Sequence, residues 1–277
     1  MPFSSGTGTS MLYDALLEEQ GYARNFNRAL GIYETLGGAA LIFSNLLGGW
    51  IGSHSLQMTF YLTVIPVAIS MVCHLIYKDA KISREVADEK LIQHTKNTFK
   101  CVFKSKNLIW LMIVTMLIFC VQKINREYYQ LWYIALLAPT IIFGIAGSFI
   151  EGLSGLGGLF VKYISSRLIN IALLVLLGVA SLGLSLGINL IIVIVSQVVV
   201  AAVSGTLFLH ATAQIQHQLP SRYRTGSGSV ISAVGRITLL PLNFIFGILS
   251  NQSVLAAGWT SVVLSGLAVF VQLQLDE

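Results

Sequence analysis

Charge is absent from three long stretches of this chain. Leu168–Ser221 runs 54 residues without an Asp, Glu, Lys or Arg, Thr35–Tyr77 does so for 43, and Ile237–Leu275 for 39. About 20 apolar residues cross the hydrocarbon core of a bilayer once. Each stretch is therefore long enough to cross twice, with an uncharged turn in the middle. The first divides at Gly52-Ser53-His54-Ser55, which predicts spans at roughly 30–51 and 57–77. Two single spans follow, at roughly 107–126 and 134–158. The longest stretch divides within Gly183–Asn189 and the last at Asn251-Gln252-Ser253, predicting roughly 168–184 and 188–210, then roughly 228–250 and 254–273. The fold expected is all-α: a polytopic membrane bundle of eight helices. A β-barrel would alternate apolar and polar residues, and these runs do not.

Lys and Arg orient the spans, because cytoplasmic loops are enriched in both. Between spans two and three lie Lys78, Lys81, Arg84, Lys90, Lys96, Lys100, Lys104 and Lys106, which places that segment inside. Arg24 with Arg28, Lys162 with Arg167, and Arg222 with Arg224 then share its side, and the three uncharged turns face outward. Lys123 and Arg126, at the outer end of span three, are the exception. A multi-pass protein of the cell membrane with both termini cytoplasmic is expected. Phe99, Val102 and Phe103 at helical spacing among Lys100, Lys104 and Lys106 suit either a segment lying in the headgroup layer or a solvated connector.

Composition adds exclusions. The chain is 55% hydrophobic and 10% charged, against about 25% charged in soluble domains. Its net charge of +5 is accounted for by basic loops, with no basic cluster interleaved with aromatics, so no nucleic-acid partner is expected. Cys73, Cys101 and Cys120 lack metal-ligand spacing, and neither a P-loop, a zinc motif nor a dinucleotide fingerprint occurs. No cofactor or metal is expected. Met1–Ser10 has neither the basic start nor the apolar core of a signal peptide.

Two passages carry a resemblance. Ser5-Gly6-Thr7-Gly8-Thr9-Ser10-Met11-Leu12-Tyr13-Asp14-Ala15-Leu16 resembles the Ser-Gly-Thr…Leu-Tyr-Asp stretch closing the fourth span of many bacterial major facilitator superfamily transporters. Leu219-Pro220-Ser221-Arg222-Tyr223-Arg224-Thr225-Gly226-Ser227 resembles the loop entering their eleventh span, with Tyr223 and Gly226 departing from the commoner form. Two spans, a basic loop and six spans are similar to spans five to twelve of that family. The family's Gly-Asp-Arg-Gly loop has no counterpart; Gly157-Gly158-Leu159-Phe160-Val161-Lys162 through Arg167 is a degenerate version at the equivalent place in the second half.

The resemblance implies an N-terminally truncated transporter. Residues 1–28 would be a cytoplasmic remnant, 29–77 two spans of the first bundle, 78–106 a basic linker, and 107–277 the second six-helix bundle. The function implied is secondary transport of a small solute by alternating access, with H+ or Na+ as coupling ion. On this reading the chain is incomplete, and coupled transport is expected only with the upstream spans restored.

Ionisable groups at membrane depth are costly and usually face a cavity or a partner. Glu34, Glu151 and Arg236 qualify. Glu34 is shallow enough to be a headgroup-level carboxylate, while Glu151 and Arg236 lie deeper, at similar depth, and are candidates for a mutual ion pair. Among neutral groups, Gln122 and Gln130 flank span three, Ser196, Gln197 and Ser204 lie on span six, and Asn243 on span seven. The resemblance makes spans three and six cavity-lining, and so Gln197 and Ser204 solute contacts; a hydrogen bond between helices is the competing reading. Gly144, Ser148 and Gly152 recur every four residues, a spacing at which backbones approach closely. The same is expected around Gly37, and Pro66, Pro139 and Pro241 are expected to kink their helices.

Two other functions compete. Gly152-Leu153-Ser154-Gly155 spells the Gly-x-Ser-Gly of rhomboid intramembrane proteases, with Ser154 as nucleophile and His210 as base. Against it, the rhomboid His with a following Asn has no match, and Ala-Thr-Ala follows His210. A non-transporting membrane scaffold is the third reading.

Overall fold

The computed structural model describes residues 26–76, 105–161, 164, 166–218 and 221–274. The elements are α1 (Phe26–His54), α2 (Leu56–Ile76), α3 (Lys106–Ala135), α4 (Thr140–Phe160), α5 (Arg167–Leu186), α6 (Leu190–Gln218), α7 (Ser221–Gln252) and α8 (Val254–Gln274). No strand occurs among the described residues. Seven of these helices are long and apolar enough to cross a membrane; in α4 the apolar stretch is Thr140–Ser154. The Ser5–Leu16 motif, the basic segment as far as Lys104 and the Leu219-Pro220 turn lie outside the described residues.

The turns are tighter than the polar clusters suggest, because one capping residue suffices to end a helix pair. α1 continues through Gly52 to His54, and Ser55 Oγ accepts from the Met58 N–H at 3.3 Å, an N-cap for α2. α5 ends on Gly187, whose φ of +55° needs no Cβ accommodation and whose N–H reaches Gly183 O at 3.2 Å. Two residues later Asn189 Oδ1 accepts from the Ile192 N–H at 2.9 Å, capping α6.

The third helix departs most from the sequence-based expectation. α3 runs unbroken to Ala135, well past the expected end at residue 126, and α4 starts at Thr140 where 134 was expected. The Ala138 N–H reaches Tyr133 O at 2.8 Å with Leu137 left-handed at φ 55°, which closes the turn. Pro139 therefore precedes α4 and kinks no span, whereas Pro66 and Pro241 do lie inside α2 and α7. Lys123 and Arg126 sit inside a helix, so they are not loop charges and form no exception to the orientation rule.

Lipid tails are as apolar as Leu, so close packing and hydrogen bonds hold membrane helices together. α3 packs against α6, α7 and α8; α5 packs against α6 and α8; α4 bridges α6 and α1; α2 packs on α1. The core between them holds Ile118, Val121, Ile124, Trp132, Leu174, Leu177, Leu184, Val200, Leu207, Phe246 and Leu264. Trp132 is fully buried and its Nε1 donates to Leu184 O at 2.9 Å, satisfying a donor that hydrocarbon cannot.

Small residues make the seams. On α4, a Cβ at Gly144 or at Gly49 of α1 would strike the other's backbone, Ser148 Oγ donates to Ile42 O at 3.0 Å, and Gly152 meets the Ile42 side chain. That stripe does bring α1 and α4 together; Gly37 and Gly38 meet nothing. A second seam joins α5 and α8, where Ser181 and Ser265 Oγ lie 3.5 Å apart and Gly258 abuts Ser185.

Candidate functional site

Because α3 continues past Arg126, its C-terminal half presents two adjoining faces. One is buried against α6. Asn125 Nδ2 donates to Gln197 O at 3.1 Å, Gln197 Nε2 donates to Tyr129 O at 3.1 Å, and Tyr133 OH donates to Gln197 Oε1. Gln197 is fully buried and bonded to α3 on every side. Ser204 is also fully buried, its hydroxyl directed to Ala201 O at 3.4 Å. Ser196 is buried against Gly183.

The other face is polar and open. Arg126, Glu127 and Gln130 are exposed and Lys123 half-buried, at the three- and four-residue spacing that puts side chains on one side of a helix. Arg126 Nε donates to Glu151 Oε1 of α4 at 2.5 Å, with the carboxylate side chain 16% exposed and the guanidinium 40%. Arg126 stands ten residues before Leu136 and Glu151 twelve after Pro139. At ~1.5 Å per residue both lie about 15–18 Å from the turn, near the middle of a hydrocarbon layer about 30 Å thick. Glu151 was expected to pair with Arg236; its partner is Arg126, which the shorter reading of span three had placed at the very end of that span.

Arg236 borders the same face from α7. Its neighbour Gly235 lies against Phe119, where a Cβ would come within 2.8 Å of Cδ1, and the Lys123 ammonium stands 5.8 Å from the centroid of that same ring. Lys123 also meets Glu127 at 3.9 Å and lies within electrostatic reach of Arg126, Glu151 and Arg236. Arg236 is exposed and makes no ion pair among the described residues. Asn243, two turns further along α7, has a buried Oδ1 without a hydrogen-bond partner.

Neutral groups complete the rim. Gly147 lets Tyr129 OH and Asn45 of α1 approach α4 together. Tyr129 OH donates to Phe143 O at 3.3 Å and Gln130 Nε2 donates to Tyr129 OH at 3.2 Å. Glu34 lies on α1, and its side chain is outside the described residues. Lys123, Asn125 and Arg126 went unrecognised as site residues because they were read as the end of span three, and Tyr133 because it fell beyond that end. The spacing of Phe119, Lys123, Arg126, Gln130 and Tyr133 is the signal that carries the helix through them.

The protease arrangement does not form. Ser154 Oγ accepts from Gln122 Nε2 at 3.2 Å, and His210 Nε2 is engaged with Gln214 Nε2 at 3.0 Å. Ser154 also abuts Gly205 on α6, so the serine is packed between helices with no base in contact, whereas nucleophilic catalysis needs that contact.

Comparison with known proteins gives one match. No curated protein and no solved structure matches the chain. The family model for the Major Facilitator Superfamily matches residues 15–240, a region that includes α1 to α6 and the Arg236 end of α7. With most of its length matched, and with seven helices long and apolar enough to cross a membrane, this chain belongs to the Major Facilitator Superfamily.

Proposed function

We propose that the chain belongs to a secondary transporter that carries a small solute across the cell membrane by alternating access, with proton transfer at Glu151 as the coupling step. The observation that carries this reading is the Arg126–Glu151 ion pair, which joins α3 to α4 near the bilayer midplane. Charges at that depth mark solute or ion pathways, and alternating-access carriers hold their sites near the midplane. Protonation of Glu151 would break the pair and remove the direct ionic tie between α3 and α4, which carries α1 with it through the Gly49–Gly144 seam and stays packed on α6. Sodium suits the site less well, because the guanidinium already occupying the carboxylate repels a second cation while a proton removes the charge outright. On the loop-charge rule the termini and the basic segment 78–106 lie in the cytoplasm.

Accessibility from the two sides tests this. Single cysteines replace Gln130, in the outer half of α3, and Ser232, in the inner half of α7, in a chain whose native cysteines are substituted. Acidifying intact vesicles is expected to shift labelling reciprocally between the two positions, and Glu151→Gln to hold one pattern at every pH. Labelling that ignores pH in the parent, or responds equally in the variant, overturns the coupling role of Glu151.

A further inference from the structure

We propose that the open face between α3, α4 and α7 receives a small monocarboxylate, held by Arg236 and Lys123; this rests on the transporter reading and names its solute class. Charge counting along the face comes first. Lys123, Arg126 and Arg236 bring three positive charges, and Glu127 and Glu151 bring two negative ones. Arg126 is taken by Glu151 at 2.5 Å, while Lys123 holds Glu127 only loosely, at 3.9 Å along one helix. Arg236 is left without an ionic partner among the described residues.

A guanidinium within a membrane span needs a counter-charge, and a bound anion supplies the one that the protein does not. The excess is a single positive charge, which a monoanion cancels and a dianion would exceed. A cationic solute would meet net repulsion, and a neutral one would leave Arg236 uncompensated. The planar guanidinium offers two parallel N–H donors that match a carboxylate bidentately. Lys123 lies over the Phe119 ring, against which Gly235, the neighbour of Arg236, also packs; being within electrostatic reach of Arg236, it adds a point charge on the same group. Apolar neighbours such as Leu240 and Phe244 on α7, exposed at 70% and 72%, suit an apolar body behind the carboxylate.

The test reads the sign of the local field with a cysteine at Gln130, one turn from Arg126. The protein, otherwise cysteine-free, is held in phosphatidylcholine nanodiscs. The rate with a sulfonate-bearing methanethiosulfonate is divided by that with a trimethylammonium-bearing one, and normalised to a cysteine at Ser55 on the distant turn. The ratio is expected to favour the anion by roughly fivefold to tenfold, the scale of one partly screened unit charge nearby. Arg236→Gln is expected to lower it severalfold and Arg236→Lys to keep it, which separates lost charge from lost folding. Benzoate should slow the labelling, and choline or glucose should not.

A ratio equal to that at Ser55, protection by choline, or no effect of Arg236→Gln in a variant that elutes as folded overturns the proposal. So does protection by added phosphatidylglycerol with none by benzoate, which would make the occupant a lipid headgroup. The field is read whichever side opens, so a failure here leaves the alternating-access result standing, and the converse holds.

Discussion

An ion pair near the bilayer midplane punishes the loss of one partner more than the loss of both, because the survivor is left charged where water is scarce. Arg126→Gln and Glu151→Gln are each expected to lower stability by about 1–3 kcal/mol, less than a fully buried pair because the guanidinium is partly exposed. The double substitution should cost less than the two singles together. Urea-resistant folded yield in mild detergent, measured for all three variants, decides it; strict additivity would show the groups uncoupled. Gln197 presents a different balance. Gln197→Leu keeps the volume but strands the Tyr133 hydroxyl and is expected to cost about 1–3 kcal/mol, seen as a lower melting temperature by tryptophan fluorescence. An unchanged melting temperature would mean that this hydroxyl finds another partner.

At the scale of elements, the α1–α4 seam depends on missing side chains. A Cβ at Gly144 would meet the Asn45 carbonyl and the Gly49 backbone, and backbone cannot swing aside as a side-chain tip can. Gly144→Val is therefore expected to push the helices apart at a cost of about 1–3 kcal/mol, whereas Gly37→Ala, in open space, should be neutral. Limited proteolysis in the α1–α2 turn, faster in the first variant and unchanged in the second, would show α1 released from the bundle. The four-residue spacing of Gly144, Ser148 and Gly152 made this seam legible in the chain itself. The end of α3 was not, because Lys123 and Arg126 look like a helix terminus until Glu127 and Glu151 are seen to compensate them.

For the whole molecule, orientation follows from loop charge and can be read directly. Single cysteines at Ser55, Asn189 and Gln252 are expected to react with an impermeant maleimide on intact cells, and those at Ser83 and Ser221 only after permeabilisation. The reverse pattern would invert the orientation; a mixed one would break the eight-span topology. The same scale explains the long exposed apolar row of α2, including Phe60, Val64 and Leu75. Such surfaces are stable against lipid tails or other membrane helices and would be an aggregation hazard in water.

Eight helices, the approximate limits of all but the α3–α4 pair, and the family were readable from residue order alone. Span length is imposed by the thickness of the bilayer, and a run without charge reports it locally. What pairs with what was not readable. Glu151 meeting Arg126 rather than Arg236, Gln197 locked to α3 on every side, and Ser154 held by Gln122 away from His210 all depend on how helices distant in sequence are rotated about their axes. A rotation of a few tens of degrees moves a polar side chain from the open face to the buried one while leaving hydropathy untouched. Only packing, through glycines at 144, 147 and 235 that let particular backbones and rings approach, selects that rotation.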